Sequence, residues 1–340
     1  MASSHSICWQ DLEFLRFSHA TFDLCVILTR MGMREKIVAL RAILKITPLS
    51  LLLGANPLLA QTLPADTNTI AVLPLETRRN HIYVRPQLKG AEQPVTMMMD
   101  TGFTLTTLKP DLVETLAVRR SGHTIIMGIS GKEEAPVYDG LVFTFGNLSY
   151  APRRVAALPS DRGSRRVDGT LGLSFFQRFV VEMDQNTLRL REPASFHYAG
   201  SGEILPFKLE KRIPVIEATL PLPGREPVRG QFELDTGCTS GLCLGSEFVR
   251  SHELLQAAGE TSGSDRQGIG GGASTREGHL PELKLGNLSV EKPSTSFFRE
   301  GSPAEPGLAG HIGWDALKKF KVILDYSRKQ LILEPLPPKQ

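Results

Sequence analysis

The sequence predicts an all-β protein made of two duplicated, closed lobes with a cleft between them. Three observations carry that expectation. Landmarks recur in the same order at a nearly constant offset. Short apolar or alternating runs are separated by turn residues along most of the chain. Gly (31) and Pro (23) are plentiful among the 340 residues, which suits turn-rich strands better than helices.

The duplication is the strongest of the three. "DGTLGLSFFQRFVVEMD" (168–184) aligns without a gap to "AGHIGWDALKKFKVILD" (309–325), pairing Gly169, Gly172, Phe179 and Asp184 with Gly310, Gly313, Phe320 and Asp325 at an offset of 141. "FGNLSY" (145–150) and "LGNLSV" (285–290) lie 140 apart, as do "GISG" (128–131) and "GIGG" (268–271). The tripeptide Asp-Thr-Gly ends an apolar run twice, at 100–102 and 235–237, 135 apart. A two-unit repeat cannot form a solenoid array, so it points to two similar lobes facing each other.

Taken in order, residues 1–32 read as an extension ahead of a start at Met31 or Met33. Residues 33–60 have a basic beginning (Arg34, Lys36, Arg41, Lys45) and an apolar stretch from Ile46 to Ala60. That is the pattern of a secretory signal, with cleavage after Ala60 or Ala55. Pro48 and Pro57 make it a poor membrane span; if it stays uncleaved it is a signal anchor, and the membrane becomes a partner only then. The expected location is therefore outside the cytoplasm, periplasmic or secreted.

Residues 61–73 read as a linker, 74–192 as the first lobe, 193–203 as a second linker, 204–335 as the second lobe and 336–340 as a tail. Within the first lobe "NHIYVRPQL", "EQPVTMMMD", "TIIMGISG", "GLVFTFGNLSY" and "RRVAALP" read as strands between Gly, Pro and Asn turns. A short helix is expected at 173–179, capped by Ser174, with a counterpart at 314–320. Hairpins at "FVVEMD–TLRLRE" and "FKVILD–QLILE" close the lobes, with Asp184 and Asp325 as turn residues.

Composition excludes several classes. A net charge of +3 with no dense Lys/Arg run argues against a nucleic-acid partner. No Cys/His cluster has zinc spacing, so no metal or other cofactor is expected. Cys8 and Cys25 fall in the N-terminal extension; Cys238 and Cys243 form either a local disulfide or two buried thiols. His123, His279 and His311 stand apart, without a Gly-x-Ser-x-Gly motif, so no histidine-based hydrolase is expected. The glycines at 268–272 are not followed by Gly-Lys-Ser/Thr, which favours a flap or turn over a phosphate loop.

An aspartate after an apolar strand is costly unless its charge is shared, bonded or neutralised. Lobes packed about a pseudo-twofold axis would bring Asp100 and Asp235 together. Two carboxylates about 3 Å apart repel by roughly 5 kcal/mol at an effective dielectric near 20, so they hold one proton between them over a broad pH range. The ionised member can activate water while the protonated one hydrogen-bonds a carbonyl. Thr101 and Thr236 supply hydroxyls to anchor the loops; Gly102 and Gly237 let the backbone approach. Reading the aspartates as ordinary turn residues leaves the duplication unexplained.

With these residues the chain resembles the aspartic peptidases, in their retropepsin-like, single-chain, two-lobed form. The resemblance covers about 74–335 and includes the downstream glycine elements "GTLG" (169–172) and "GHIG" (310–313). It implies retropepsin- or pepsin-like β lobes, catalytic Asp100 and Asp235, a peptide or protein substrate, a monomer and no cofactor. Gly128, Ile129, Gly131, Gly268, Ile269 and Gly270 sit where the family has substrate-covering flaps. Two departures stand out: Phe103 and Cys238 follow the Gly where the family usually has Ala or Ser, and no flap tyrosine is evident in 125–133. The rival expectation is a peptide-binding module on the same fold without turnover.

Overall fold

The two apolar runs that end in aspartate lie inside two sheets of the same strand order. The computed structural model describes residues 68–128, 131–159, 167–268 and 271–336, all within the unit Pro64–Gln340. The N-terminal extension (1–32), the signal pattern (33–60) and residues 337–340 of the tail lie outside the described residues. In the first lobe Met97–Met99 runs parallel to Gly169–Leu171, which is antiparallel to Thr106–Leu108. That strand runs parallel to Val155–Ala157, and the hairpin Arg119–Gly128/Gly131–Asp139 follows. The second lobe repeats the scheme with Val228–Asp235, Gly310–Gly313, Leu242–Leu244, Ser294–Phe298 and the hairpin Ser262–Gly268/Gly271–His279.

Local pattern explains these strands. Met97 and Met99 are fully buried while Met98 is not, and Phe232 and Leu234 are buried with Asp235 less so, its side chain 14% exposed. Alternate residues of a strand face opposite sides, so each run buries an apolar row and carries its last residue out at the strand end. The first-lobe core is closed by an aromatic cluster: Phe145, Tyr150, Phe175 and Phe179 stack at 5.1–6.4 Å between ring centroids.

The closing hairpins do more than end their lobes. Val180–Asp184/Thr187–Arg191 and Phe320–Asp325/Gln330–Pro335 join into one six-stranded sheet, paired through Val181↔Leu324, Glu182↔Ile323 and Met183↔Val322. Thr69–Pro74 and Glu203–Pro206 form its edges. Residues 69–73, read from sequence as linker, are therefore strand, because Ala71 and Leu73 bury against the hairpin and Val72 points outward.

Helix Leu173–Arg178 forms where expected, but Ser174 does not cap it. Gly172 holds the cap position without a side-chain bond, and the Ser174 hydroxyl instead meets Tyr150 Oη at 2.9 Å and Thr106 Oγ1 at 3.3 Å. Its counterpart is shorter, Trp314–Leu317. Helices Pro110–Glu114, Ser246–Ser251 and Leu254–Ala258 were not expected; each is a turn or two long, too short to show periodicity in sequence.

Glu182 lies in the interlobe sheet with 3% of its side chain exposed, within 3.1 Å of Arg189, 2.7 Å of Arg191 and 3.3 Å of Lys321 from the second lobe. Removing one partner of a buried ionic cluster leaves the others uncompensated. Glu182→Ala is expected to lower the unfolding free energy by roughly 3–5 kcal/mol in a denaturant titration. A loss under about 1 kcal/mol, the range of exposed pairs, would mean that the cluster is solvated and does not tie the lobes.

Candidate active site

Both Asp-Thr-Gly loops leave the C-terminal end of a strand that is pinned by its glycine element. The Asp100 N–H donates to Leu171 O at 3.0 Å, and Asp235 is in register with Gly313. A side chain at Gly172 would meet Phe103 O at 2.5 Å, and one at Gly313 would meet Cys238 O at 2.6 Å. This is why each downstream element ends in glycine: it lies flat on the carbonyls of the loop. Phe103 O accepts from Leu173 N at 2.7 Å, and Cys238 O accepts from Trp314 N at 2.9 Å. The larger residues after each Gly leave this backbone pattern the same in both lobes.

The loops meet. Asp100 and Asp235 sit side by side, each carboxyl packed against the glycine of the opposite loop. The Gly102 N–H donates to Asp100 Oδ1 at 3.0 Å and the Gly237 N–H to Asp235 Oδ1 at 2.8 Å. A Cβ on Gly102 would lie 2.7 Å from Asp235 Oδ1, and one on Gly237 would run into the Asp100 carboxyl. Each glycine therefore makes room for the carboxyl of the opposite lobe. The threonines interlock beneath. Thr101 Oγ1 donates to Leu234 O at 2.7 Å and accepts from Thr236 N at 3.0 Å. Thr236 Oγ1 donates to Met99 O at 3.0 Å and accepts from Thr101 N at 3.1 Å. Both threonines are buried, so these four bonds satisfy groups that water does not reach.

The two carboxyls are not equivalent. Burial, and next the charge of Asp235, push Asp100 well above the usual carboxylate range. Burial would raise Asp235 too, but His311 overrides it and holds that group below its ordinary value. His311 Nδ1 lies 2.8 Å from Asp235 Oδ2, and Nε2 lies 3.0 Å from Glu233 Oε2. Burial opposes a charge on this ring, yet Asp235 and Glu233 push its pKa up to about 10. Linkage follows with definite signs. His311 contributes stability that is full below its unfolded value of 6.5 and lost as pH rises through about 10. Asp235 contributes stability that is present above 3.8 and lost as pH falls through its depressed folded value.

The expectation that His311 stands apart is thus corrected. In sequence it is 76 residues from Asp235; the parallel pairing Glu233↔His311 brings them together. One signal was present, namely Glu233 two residues before Asp235 on the same strand face.

Cys238 and Cys243 are disulfide-bonded and pack with Phe298 and Ala273. At the equivalent place in the first lobe Phe103 and Leu105 pack on Ile126, Ala135, Ala156 and Leu158. Phe103 therefore fills the base of the first hairpin much as the disulfide fills the second. Gly128 pairs with Gly131, and Gly268 with Gly271. Ile129, Ile269 and Gly270 lie outside the described residues. Gly271, at φ +136°, is the position in these glycine pairs that resists a side chain. Arg266 in the second hairpin donates to Thr239 Oγ1 at 3.3 Å and to Ser240, and pairs with Glu277, tying the hairpin to the Asp235 loop. Among the described residues no group of three or more His, Cys, Asp and Glu side chains is arranged to hold a metal ion.

Residues 84–175, which contain the first Asp-Thr-Gly loop and its glycine element, match the family model described as Aspartyl protease. Among solved structures the chain is similar to the aspartic proteinase from Irpex lacteus, with a TM-score of 0.55 and 16% identity, over 78% of this chain and 96% of that one. The chain has the two-lobed aspartic-proteinase fold. A comparison with curated proteins returned no match.

The interlock is testable. Thr101→Val keeps the shape but strands the Thr236 N–H and Leu234 O in a buried place. It is expected to cost roughly 2–6 kcal/mol, at about 1–3 per orphaned group, measured by chemical denaturation. Thr101→Ser retains the hydroxyl and should recover most of that loss. Equal stability of the Val variant and the parent protein would show that the bonds do not hold the loops.

Proposed function

We propose that this chain is an aspartic endopeptidase that hydrolyses peptide bonds with water as the nucleophile. The observation that carries the reading is the pair of carboxyls, one from each lobe, set side by side at the junction of two matching loops. One ionised carboxylate takes a proton from water as its oxygen attacks the carbonyl carbon, while the protonated partner hydrogen-bonds the carbonyl oxygen. The family match over 84–175 and the fold support this chemistry. A binding module without turnover would have no need for two buried carboxyls at this cost.

The substrate is a peptide segment in extended form. The two hairpins are long and antiparallel, and Ile125 and Met127 near the end of the first are 66% and 63% exposed. Large apolar side chains in that position suit a peptide laid alongside as an added strand, held by backbone bonds with side chains in apolar pockets. Gly128, Gly131 and Gly268 belong to this surface in the proposal, as do Ile129, Ile269 and Gly270. No cofactor takes part, and the chain acts as a monomer because both halves of the dyad come from one polypeptide.

Replacing Asp100 or Asp235 with Asn is expected to lower cleavage of a mixed peptide library by at least about 10²–10⁴-fold, with circular dichroism unchanged. Cleavage that persists in both variants would assign it to a contaminant or to another site. The reading also places the protein outside the cytoplasm, on the strength of the basic and apolar pattern at 33–60. N-terminal sequencing of protein expressed in a bacterium is expected to begin near Gln61; Met1 on a cytosolic product would overturn that location.

A further inference from the structure

The duplication provides an internal control for the site. Position by position, Glu233 and His311 of the second lobe correspond to Met98 and Thr170 of the first. Met98 is in register with Thr170 on parallel strands, as Glu233 is with His311. The third strand places Thr107 beside Thr170 and Cys243 beside His311. In the first lobe this layer is uncharged, and the Thr170 N–H donates to Thr107 Oγ1 at 3.2 Å. In the second it holds an acid and a base, with only 3% and 12% of their side chains exposed.

We infer that His311, backed by Glu233, is a positioning residue that breaks the symmetry of the dyad, fixing Asp235 as the ionised member and Asp100 as the protonated one. The inference rests on the endopeptidase reading for its consequence, though not for its geometry. Carboxylate oxygens flank the ring, 2.8 Å from Nδ1 and 3.0 Å from Nε2, the second an ion-pair distance without the geometry of a hydrogen bond. A neutral imidazole would leave an uncharged ring between two acids, whereas the imidazolium sets a positive charge within ion-pair distance of both. The charge is surrounded consistently. Glu233 and Asp235 face the ring from their strand, Asp100 lies across the lobe junction, and Cys243 on the third strand is held in its disulfide and does not titrate. Glu233 is itself fixed, its Oε1 accepting from Glu305 N at 3.1 Å. The opposite directions in which Asp100 and Asp235 shift agree with this arrangement.

The consequence is an assignment of roles. The Asp235 carboxylate takes the proton of the attacking water, whose oxygen bonds to the carbonyl carbon. Asp100 gives its proton to the carbonyl oxygen, forming a diol. As the C–N bond breaks, Asp235 passes its proton to the departing nitrogen and Asp100 recovers one from a diol hydroxyl. One water is consumed, and both carboxyls return to their first state with His311 charged throughout.

The test replaces the asymmetric layer with the symmetric one: Glu233→Met together with His311→Thr, side chains the first lobe already packs at these places. Carboxyl ¹³C and imidazole ¹⁵N NMR on the full protein are read between pH 3 and 9. In the parent, His311 should carry protons on both nitrogens at pH 8, Asp235 should stay ionised at pH 4, and Asp100 should remain protonated at pH 6. In the double variant the Asp235 midpoint should rise by one pH unit or more. The acid limb of kcat/KM should rise with it, a movement that a merely structural role does not produce. A neutral His311 in the parent at pH 8, or an Asp235 midpoint unmoved in a folded double variant, would overturn the inference. If the double variant fails to fold, the parent spectra alone decide. If the parent cleaves no peptide, the endopeptidase reading fails while the NMR result still settles the polarisation.

Discussion

Holding two carboxyls side by side, away from most water, is the constraint around which this molecule is organised. Left to themselves, two such groups repel strongly and would drift apart or take up a second proton. The loops that carry them cannot drift, because each threonine hydroxyl reaches across to the backbone of the other lobe. Behind the threonines, the strands end on glycine elements that leave no space for retreat. Farther out, the six-stranded sheet fixes one lobe against the other with a ladder of backbone bonds and the Glu182 cluster. Local hydrogen bonding sets the separation of the carboxyls, and interlobe packing keeps that geometry from being relaxed by rotation of the lobes.

Much of this was readable from the sequence because it is encoded in local pattern and repetition. The Asp-Thr-Gly loops are contiguous, and their glycine elements recur at fixed offset, so both lobes and their meeting point could be inferred before any geometry. What was missed depends on pairing between distant segments. His311 is unremarkable along the chain, since its partners arrive only through a parallel register. Ser174 looked like a helix cap, but Tyr150 and Thr106 compete for its hydroxyl. Residues 69–73 looked like linker, yet an edge strand needs only a partner's free edge and one buried row. The hairpins were legible as lobe closures, whereas their union into one sheet was not, because neither sequence specifies which edge the other will find.

Duplication and catalysis make opposite demands, and the second lobe shows how both are met. Duplication delivers two equal carboxyls on equal loops. General acid–base chemistry needs them unequal, one proton-free and one proton-bearing at the same pH. The strands that position the aspartates cannot change much, because their carbonyls bond the threonines and their ends lie against the glycines. The free positions are the alternate residues of those same strands, one layer back. There the first lobe keeps Met98 and Thr170, which carry no charge, and the second has Glu233 and His311. A lone histidine in that layer would be costly to charge in so little water, and a lone glutamate would repel Asp235. Placed together they hold a cation against one carboxylate and not the other. Asymmetry is thereby installed while the strand pairing of the symmetric frame is kept.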